Sequence, residues 1–230
     1  MNRRSTRFRR LPYPTVGAMI AIAAGVLLIQ ELFELRLPER FGTVPREFRD
    51  LWSDLLAGRW GVEAAAVVAK LFTPLFLHGD VEHLLGNMIF LWAFGTLCAG
   101  LLGNWWAVGL FLCTGAIGNL LQISLNPHSP IPIIGASGAV CGFEGAYLGL
   151  ALRWQLDWPD VWPLAHPIPP LQLAAFAGIG ILFDIYSLHD LQQPIAYGAH
   201  VGGFFAGLIL VALMTQIYPT REAWGKGGGE

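Results

Sequence analysis

Apolar residues run along this chain in six blocks, at about residues 15–35, 83–101, 105–125, 137–152, 171–188 and 196–217. A helix needs roughly 20 residues to cross the hydrocarbon core of a bilayer. The fourth block is short by that measure, so it must be buried among its neighbours or sit where the protein lets water in. The pattern predicts an all-α polytopic membrane protein with six transmembrane helices. It divides the chain into a basic N-terminus (1–14), one six-span domain (15–217) and a flexible C-terminal tail (218–230). No internal repeat or low-complexity tract interrupts it.

The link between the first two spans is the long one, about residues 36–82. Within it Phe48, Leu51, Trp52, Leu55 and Leu56 recur at helical spacing, with Arg49, Asp50, Asp54 and Arg59 between or beyond them. This predicts an amphipathic helix, with Trp52 and Trp60 nearby. It suits an element half-sunk in the membrane interface, or equally an ordinary helix packed on the protein.

Composition agrees with the blocks. The chain is 54% hydrophobic and 13% charged, about half the charged share of a soluble domain, with mean hydropathy +0.53. Its net charge of −2 argues nothing about nucleic acid, and none is expected as a partner. Cys98, Cys113 and Cys141 are odd in number and lie in apolar stretches, so no disulfide framework is implied. Five arginines crowd the first ten residues, which reads as a cytoplasmic anchor under the positive-inside rule or as a transit peptide. With the N-terminus inside, eight basic residues fall inside and six outside. The N-terminal cluster, close to the first span, sets the expected orientation, with the N-terminus cytoplasmic.

Strongly polar groups inside spans are costly and mark function by default. Here they are His83 and Asn87 in the second span, Ser137 and Glu144 in the fourth, Asp184 in the fifth and His200 in the sixth. The even-numbered spans run in one direction. His83, Asn87, Ser137 and His200 each lie in the first two turns of such a span, at one depth, roughly 0–8 Å below the same face. Each has an ordinary reading alone: Ser137 as a packing residue, His200 as a buried cross-link, His83 and Asn87 as an interhelical hydrogen-bonding pair. Four at one level from three helices point to a site.

A hydroxyl beside an imidazole can supply a nucleophile and its general base. Gly135 and the prolines before it favour a loop, so Ser137 opens a helix and its N–H lies at the positive end of the helix dipole. Gly203 and Gly207 share a face with His200, and Gly138, Gly142, Gly145 and Gly149 recur along the fourth span. Small residues so placed let two helix backbones approach closely. His83 and Asn87, at i and i+4, share a face and can both donate hydrogen bonds, as an oxyanion hole requires. His78 is five residues before His83, the wrong spacing for a pair of zinc ligands on one helix, and no HExxH occurs. Neither a metal nor a cofactor is expected.

Three segments, HGDVEHLLGN, GASGAVCG and AHVGGFFAG, together resemble the rhomboid intramembrane proteases, in order and in loop lengths, over about residues 15–217. The six-span layout is similar to the simple bacterial form, which implies a bacterial inner (plasma) membrane as the location. The resemblance implies a serine endopeptidase that cuts transmembrane protein substrates within the lipid bilayer. It implies Ser137 as nucleophile and His200 as general base with no third acid, and an oxyanion held by the Ser137 N–H, His83 and Asn87. His78 would be supportive. The fifth span would form a mobile gate, with Phe176, Phe183 and Tyr186 as its bulky contacts.

The chain departs from the family in places. A Trp-Arg pair common in the family's first loop stands here reversed, as Arg59-Trp60. Cys141 occupies the position where some members set a tyrosine against the histidine. Glu144 has no family role and reads as a buried, largely neutral carboxyl. Two rival functions are a rhomboid-like factor that binds membrane proteins without cutting, and a transporter or channel. The first would typically lack the serine or the histidine; the second would lead to inverted repeats or helices broken at mid-depth.

Overall fold

The computed structural model describes residues 14–59, 62–158, 169–189 and 195–227. The arginine-rich N-terminus and Trp60, on which expectations were placed above, lie outside these residues. The described part is helical, and the sole extended pairing found in it is a bridge between Thr43 and Ile133.

The six expected spans appear as α1 (Pro14–Leu32), α5 (Val81–Leu102), α6 (Asn104–Leu125), α7 (Ser137–Arg153), α8 (Pro170–Ser187) and α9 (Tyr197–Ile217). Five of them are long and apolar enough to cross a membrane. The sixth, α7, has 17 residues and is enclosed by α6, α8 and α9. Its residues from Gly138 to Leu150 are mostly buried, which is how a short span avoids mismatch with lipid. Large apolar side chains such as Leu28, Phe90, Ile179 and Leu213 cover the outside of the bundle. That is the surface expected of an integral membrane protein, and this chain is one.

Within α5, residues Leu91–Gly95 widen into a π-helical turn. Gly95 lies there against Val16 of α1, and the Thr96 hydroxyl donates back to the Trp92 carbonyl at 2.5 Å.

The long link holds three helices: α2 (Leu37–Phe41), α3 (Pro45–Leu56) and α4 (Val62–Phe72). The predicted amphipathic helix is α3. Phe48 faces inward against Ile123 and Ile133, while Trp52 and Leu56 are exposed. The helix α4 was not foreseen. Its VEAAAVVAKLF run is too short for a span and was absorbed into the loop.

This link is tied to the segment before α7. Thr43 and Ile133 exchange backbone hydrogen bonds at 3.2 and 2.9 Å, and the Gly135 N–H donates to the Pro74 carbonyl at 2.9 Å. The Thr43 hydroxyl donates to the Lys70 carbonyl, and Asn119 of α6 donates to Leu71 of α4 at 3.0 Å.

In the stretch expected as a tail, residues Arg221–Gly227 form a short helix, α10. Trp224 holds it in place, buried between Trp106 and Tyr218 with ring centroids 5.0 and 5.1 Å away.

Candidate functional site

The N-terminal ends of α5, α7 and α9 meet at one end of the bundle. Each start is fixed by a local device. For α5 it is Asp80, whose carboxylate accepts from the His83 N–H at 2.7 Å. This is an N-cap, which typically stabilises a helix by about 1 kcal/mol. For α9 it is Gln122, whose side-chain oxygen reaches across from α6 to accept the Gly198 N–H at 2.8 Å. For α7 it is Gly135, at φ +107. That left-handed conformation turns the proline-rich strap sharply into the helix and suits glycine.

The space around Gly135 is occupied by the second-span residues. A β-carbon at Gly135 would lie 2.7 Å from His83 Nε2 and 3.7 Å from Asn87 Nδ2. His83 thus presents its ring to the backbone two residues ahead of Ser137. The Asn87 amide, in this structure, donates to the His83 carbonyl at 3.0 Å.

Ser137 is the first residue of α7, where backbone N–H groups have no partner within the helix. His200 is the fourth residue of α9. Both are half-buried. The two helices are pressed together backbone on backbone. A β-carbon on Gly203 would fall on the Gly138 carbonyl oxygen, and one on Gly207 on the Gly142 carbonyl oxygen. At the top of this seam, Gly138 would meet the Ala199 carbonyl at 3.1 Å. The chain neighbours of Ser137 and His200 are therefore in contact. The starts of α7 and α9, carrying Ser137 and His200, thus meet at one end of the bundle beside the His83-lined turn at Gly135; a hydroxyl, an imidazole and helix-start N–H groups are the ingredients of nucleophilic attack on a carbonyl.

His78 is fully buried beneath this group, with its ring edge-on to His83 at 5.1 Å. It precedes α5, and burial pushes its pKa down to about 4. The neighbouring His83 pushes the same way, while the Phe76 carbonyl and the Asp80 carboxylate oppose.

Phe176, Phe183 and Tyr186 do not join the cluster. They point outward from α8, 69%, 65% and 73% exposed. Sequence reasoning left Asp184 without a role. The structure puts its Oδ2 3.1 Å from His200 Nδ1. It also brings Cys141 close: the Cys141 sulfur, an Asp184 oxygen and a His200 nitrogen all lie within 4.8 Å of one another. Asp80 and Gln122 were missed as well. An Asp just before an apolar helical run is a start signal that could have flagged Asp80. Nothing in the sequence flags Gln122.

A polar site sunk into one end of a membrane-embedded helix bundle defines the class of protein. The comparisons supply the family. Residues 65–217 match the Rhomboid domain, and the chain belongs to the rhomboid family. It is 30% identical over 148 residues to Rhomboid-like protein 11, chloroplastic, of Arabidopsis thaliana, covering 63% of this chain and 51% of that one. It is 35% identical over 157 residues to Rhomboid protease GluP of Bacillus subtilis, covering 68% and 28%. The similarity thus spans about half of the first relative and about a quarter of the second. With the rhomboid-family protein YdcA of Bacillus subtilis it shares 29% identity over 205 residues, 89% of this chain and 90% of the other.

Proposed function

We propose that this protein is an intramembrane serine endopeptidase that cuts other membrane proteins in or near their transmembrane segments. The observation that supports the reading is the glycine seam between α7 and α9, in which Gly138 and Ala199, the chain neighbours of Ser137 and His200, lie in contact. Family membership and the protease named among the relatives support it.

In this mechanism the Ser137 hydroxyl oxygen attacks the peptide carbonyl carbon while His200 takes its proton. The negative charge that develops on the carbonyl oxygen is held by the Ser137 N–H, the His83 ring and the Asn87 amide. Collapse of the tetrahedral intermediate breaks the C–N bond, and His200 returns the proton to the leaving amine. Water, activated by His200, then hydrolyses the Ser137 ester. The Asn87 amide has two N–H donors; one is held by the His83 carbonyl and the other is left for the oxyanion.

A transmembrane substrate hides its peptide bonds in its own helical hydrogen bonds and must unwind locally. The substrate therefore has a small residue before the cut and Gly or Pro not far beyond, and is cut near its outer end. It reaches the site past α8, which yields as a gate. The protein sits in a bacterial inner membrane with its N-terminus cytoplasmic, a placement supported by the arginine cluster before α1.

The test uses detergent-purified protein. A fluorophosphonate probe labels the wild type and not Ser137→Ala. Ser137→Ala and His200→Ala each abolish cleavage of a transmembrane substrate at unchanged melting temperature, and the double variant is no worse than either single, because the pair acts as a unit. His83→Ala lowers turnover about 10²–10³-fold. Full activity in purified His200→Ala overturns the mechanism. A folded wild type that neither labels nor cuts would indicate a non-catalytic membrane-protein binding factor instead.

A further inference from the structure

Asp184 lies seven residues beyond Ala177 and three beyond Ile181, both buried, so it shares the inward stripe of α8. Its neighbours Phe183 and Ile185 point away from the bundle. The carboxylate and the His200 ring are 17% and 16% exposed, with Oδ2 and Nδ1 3.1 Å apart. A carboxylate can only accept, so this hydrogen bond requires the proton of the neutral imidazole to be on Nδ1. Nε2 is then the ring's free lone pair, the atom a base must present to the serine hydroxyl.

We propose that Asp184 is a positioning residue for His200: it fixes the ring's tautomer and orientation and stabilises the imidazolium formed when Ser137 gives up its proton. This inference rests on the protease reading and adds a third member to what the family resemblance describes as a dyad. The step is balanced within the site. The proton moves from Ser137 Oγ to His200 Nε2, the Nδ1 proton stays on the ring, and Asp184 carries its negative charge throughout.

The acid comes from α8, whereas Ser137 and His200 come from α7 and α9. Nucleophile and base are locked by the glycine seam, and the acid rides on the helix proposed to yield. Displacing α8 to admit substrate parts Asp184 from His200, so the ring is set for proton transfer once α8 has returned. Other titratable groups face the same pair. Cys141 and Glu144 approach from α7, Tyr197 sets its ring edge-on to His200 at 6.2 Å, and His83 of α5 lies within electrostatic reach. Each is held constant in the comparison below.

The experiment measures kcat and KM against pH for wild type, Asp184→Asn and Asp184→Glu, using a fluorogenic transmembrane peptide, with Ser137→Ala as blank. Removing the acid from a serine–histidine pair can cost up to about 10⁴ in kcat. Here Asp184→Asn should lower kcat at least about tenfold with KM little changed. The acid limb of its profile should move to lower pH, because the imidazolium has lost its counter-charge. Asp184→Glu should recover part of the rate and return the limb toward the wild-type position. Nitrogen NMR of the folded wild type should show His200 protonated at Nδ1 when neutral, a readout that does not depend on any variant folding. Serine-dependent cleavage with an unmoved kcat and pH profile in Asp184→Asn, or a wild-type ring protonated at Nε2, overturns the role of Asp184 and leaves the protease reading standing. Absence of any Ser137-dependent cleavage by the wild type defeats the protease reading itself.

Discussion

At the scale of single residues, burial and charge act on His78 in a way that can be measured without a substrate. Its side chain has no exposure to solvent, and its pKa is lowered to about 4. The folded protein thus favours the neutral ring. An unfolded chain binds a proton near pH 6.5, so the stabilisation is complete above that value and is lost as pH falls toward 4, flattening below. A shift of this size corresponds to about 3 kcal/mol. The melting temperature of the wild type in detergent should therefore fall more steeply between pH 6.5 and 4 than that of His78→Phe. Parallel curves for the two would mean that the histidine is hydrated or paired in solution. The contact this burial protects is the edge-on packing of the His78 ring against His83, 5.1 Å between centroids.

At the scale of elements, the tightest constraint is the contact of α7 with α9. Gly203 and Gly207 bring carbonyl oxygens of one helix against α-carbons of the other. Such an approach gains dispersion and weak Cα–H···O contacts that a larger residue forfeits. Gly203→Val must push the helices apart, and a misplacement of about 1 Å can cost about 100-fold in rate. Cleavage should drop by that order, whereas Gly109→Ala, with nothing near the position of the added β-carbon, should cut normally. A native rate in Gly203→Val would remove the seam from the mechanism. This contact was legible in the sequence, because glycines at four-residue steps are a pattern a single helix displays. The shortness of α7 was legible for the same reason. The Asp184–His200 bond was not. It joins two separate helices, and a periodicity says which face a residue occupies but not which residue of another helix it meets. The helix α4 escaped because its eleven residues, mostly alanine and valine with one glutamate and one lysine, carry too little contrast to separate a short helix from a loop.

At the scale of the whole molecule, the spans differ in how firmly they are held. Of the most apolar window of α9, 61% is buried in the bundle, against 22% for α8. Segments with little buried contact open at lower free energy. Amide hydrogen exchange in detergent should therefore be at least about tenfold faster in α8 than in α7 or α9. Equal protection along all three would place the moving part elsewhere. The strap of residues 126–135 sits on the firm side, tied through Thr43, Pro74 and Ile133 to the long first link. A further consequence follows from the way Gly135 is anchored to Pro74. The turn that aims Ser137 borrows its rigidity from a segment sixty residues earlier in the chain, outside the seam altogether. The start of α7 is thereby moored at two independent points, the α9 backbone on one side and the Pro74 carbonyl on the other, so that loosening one leaves the other in place.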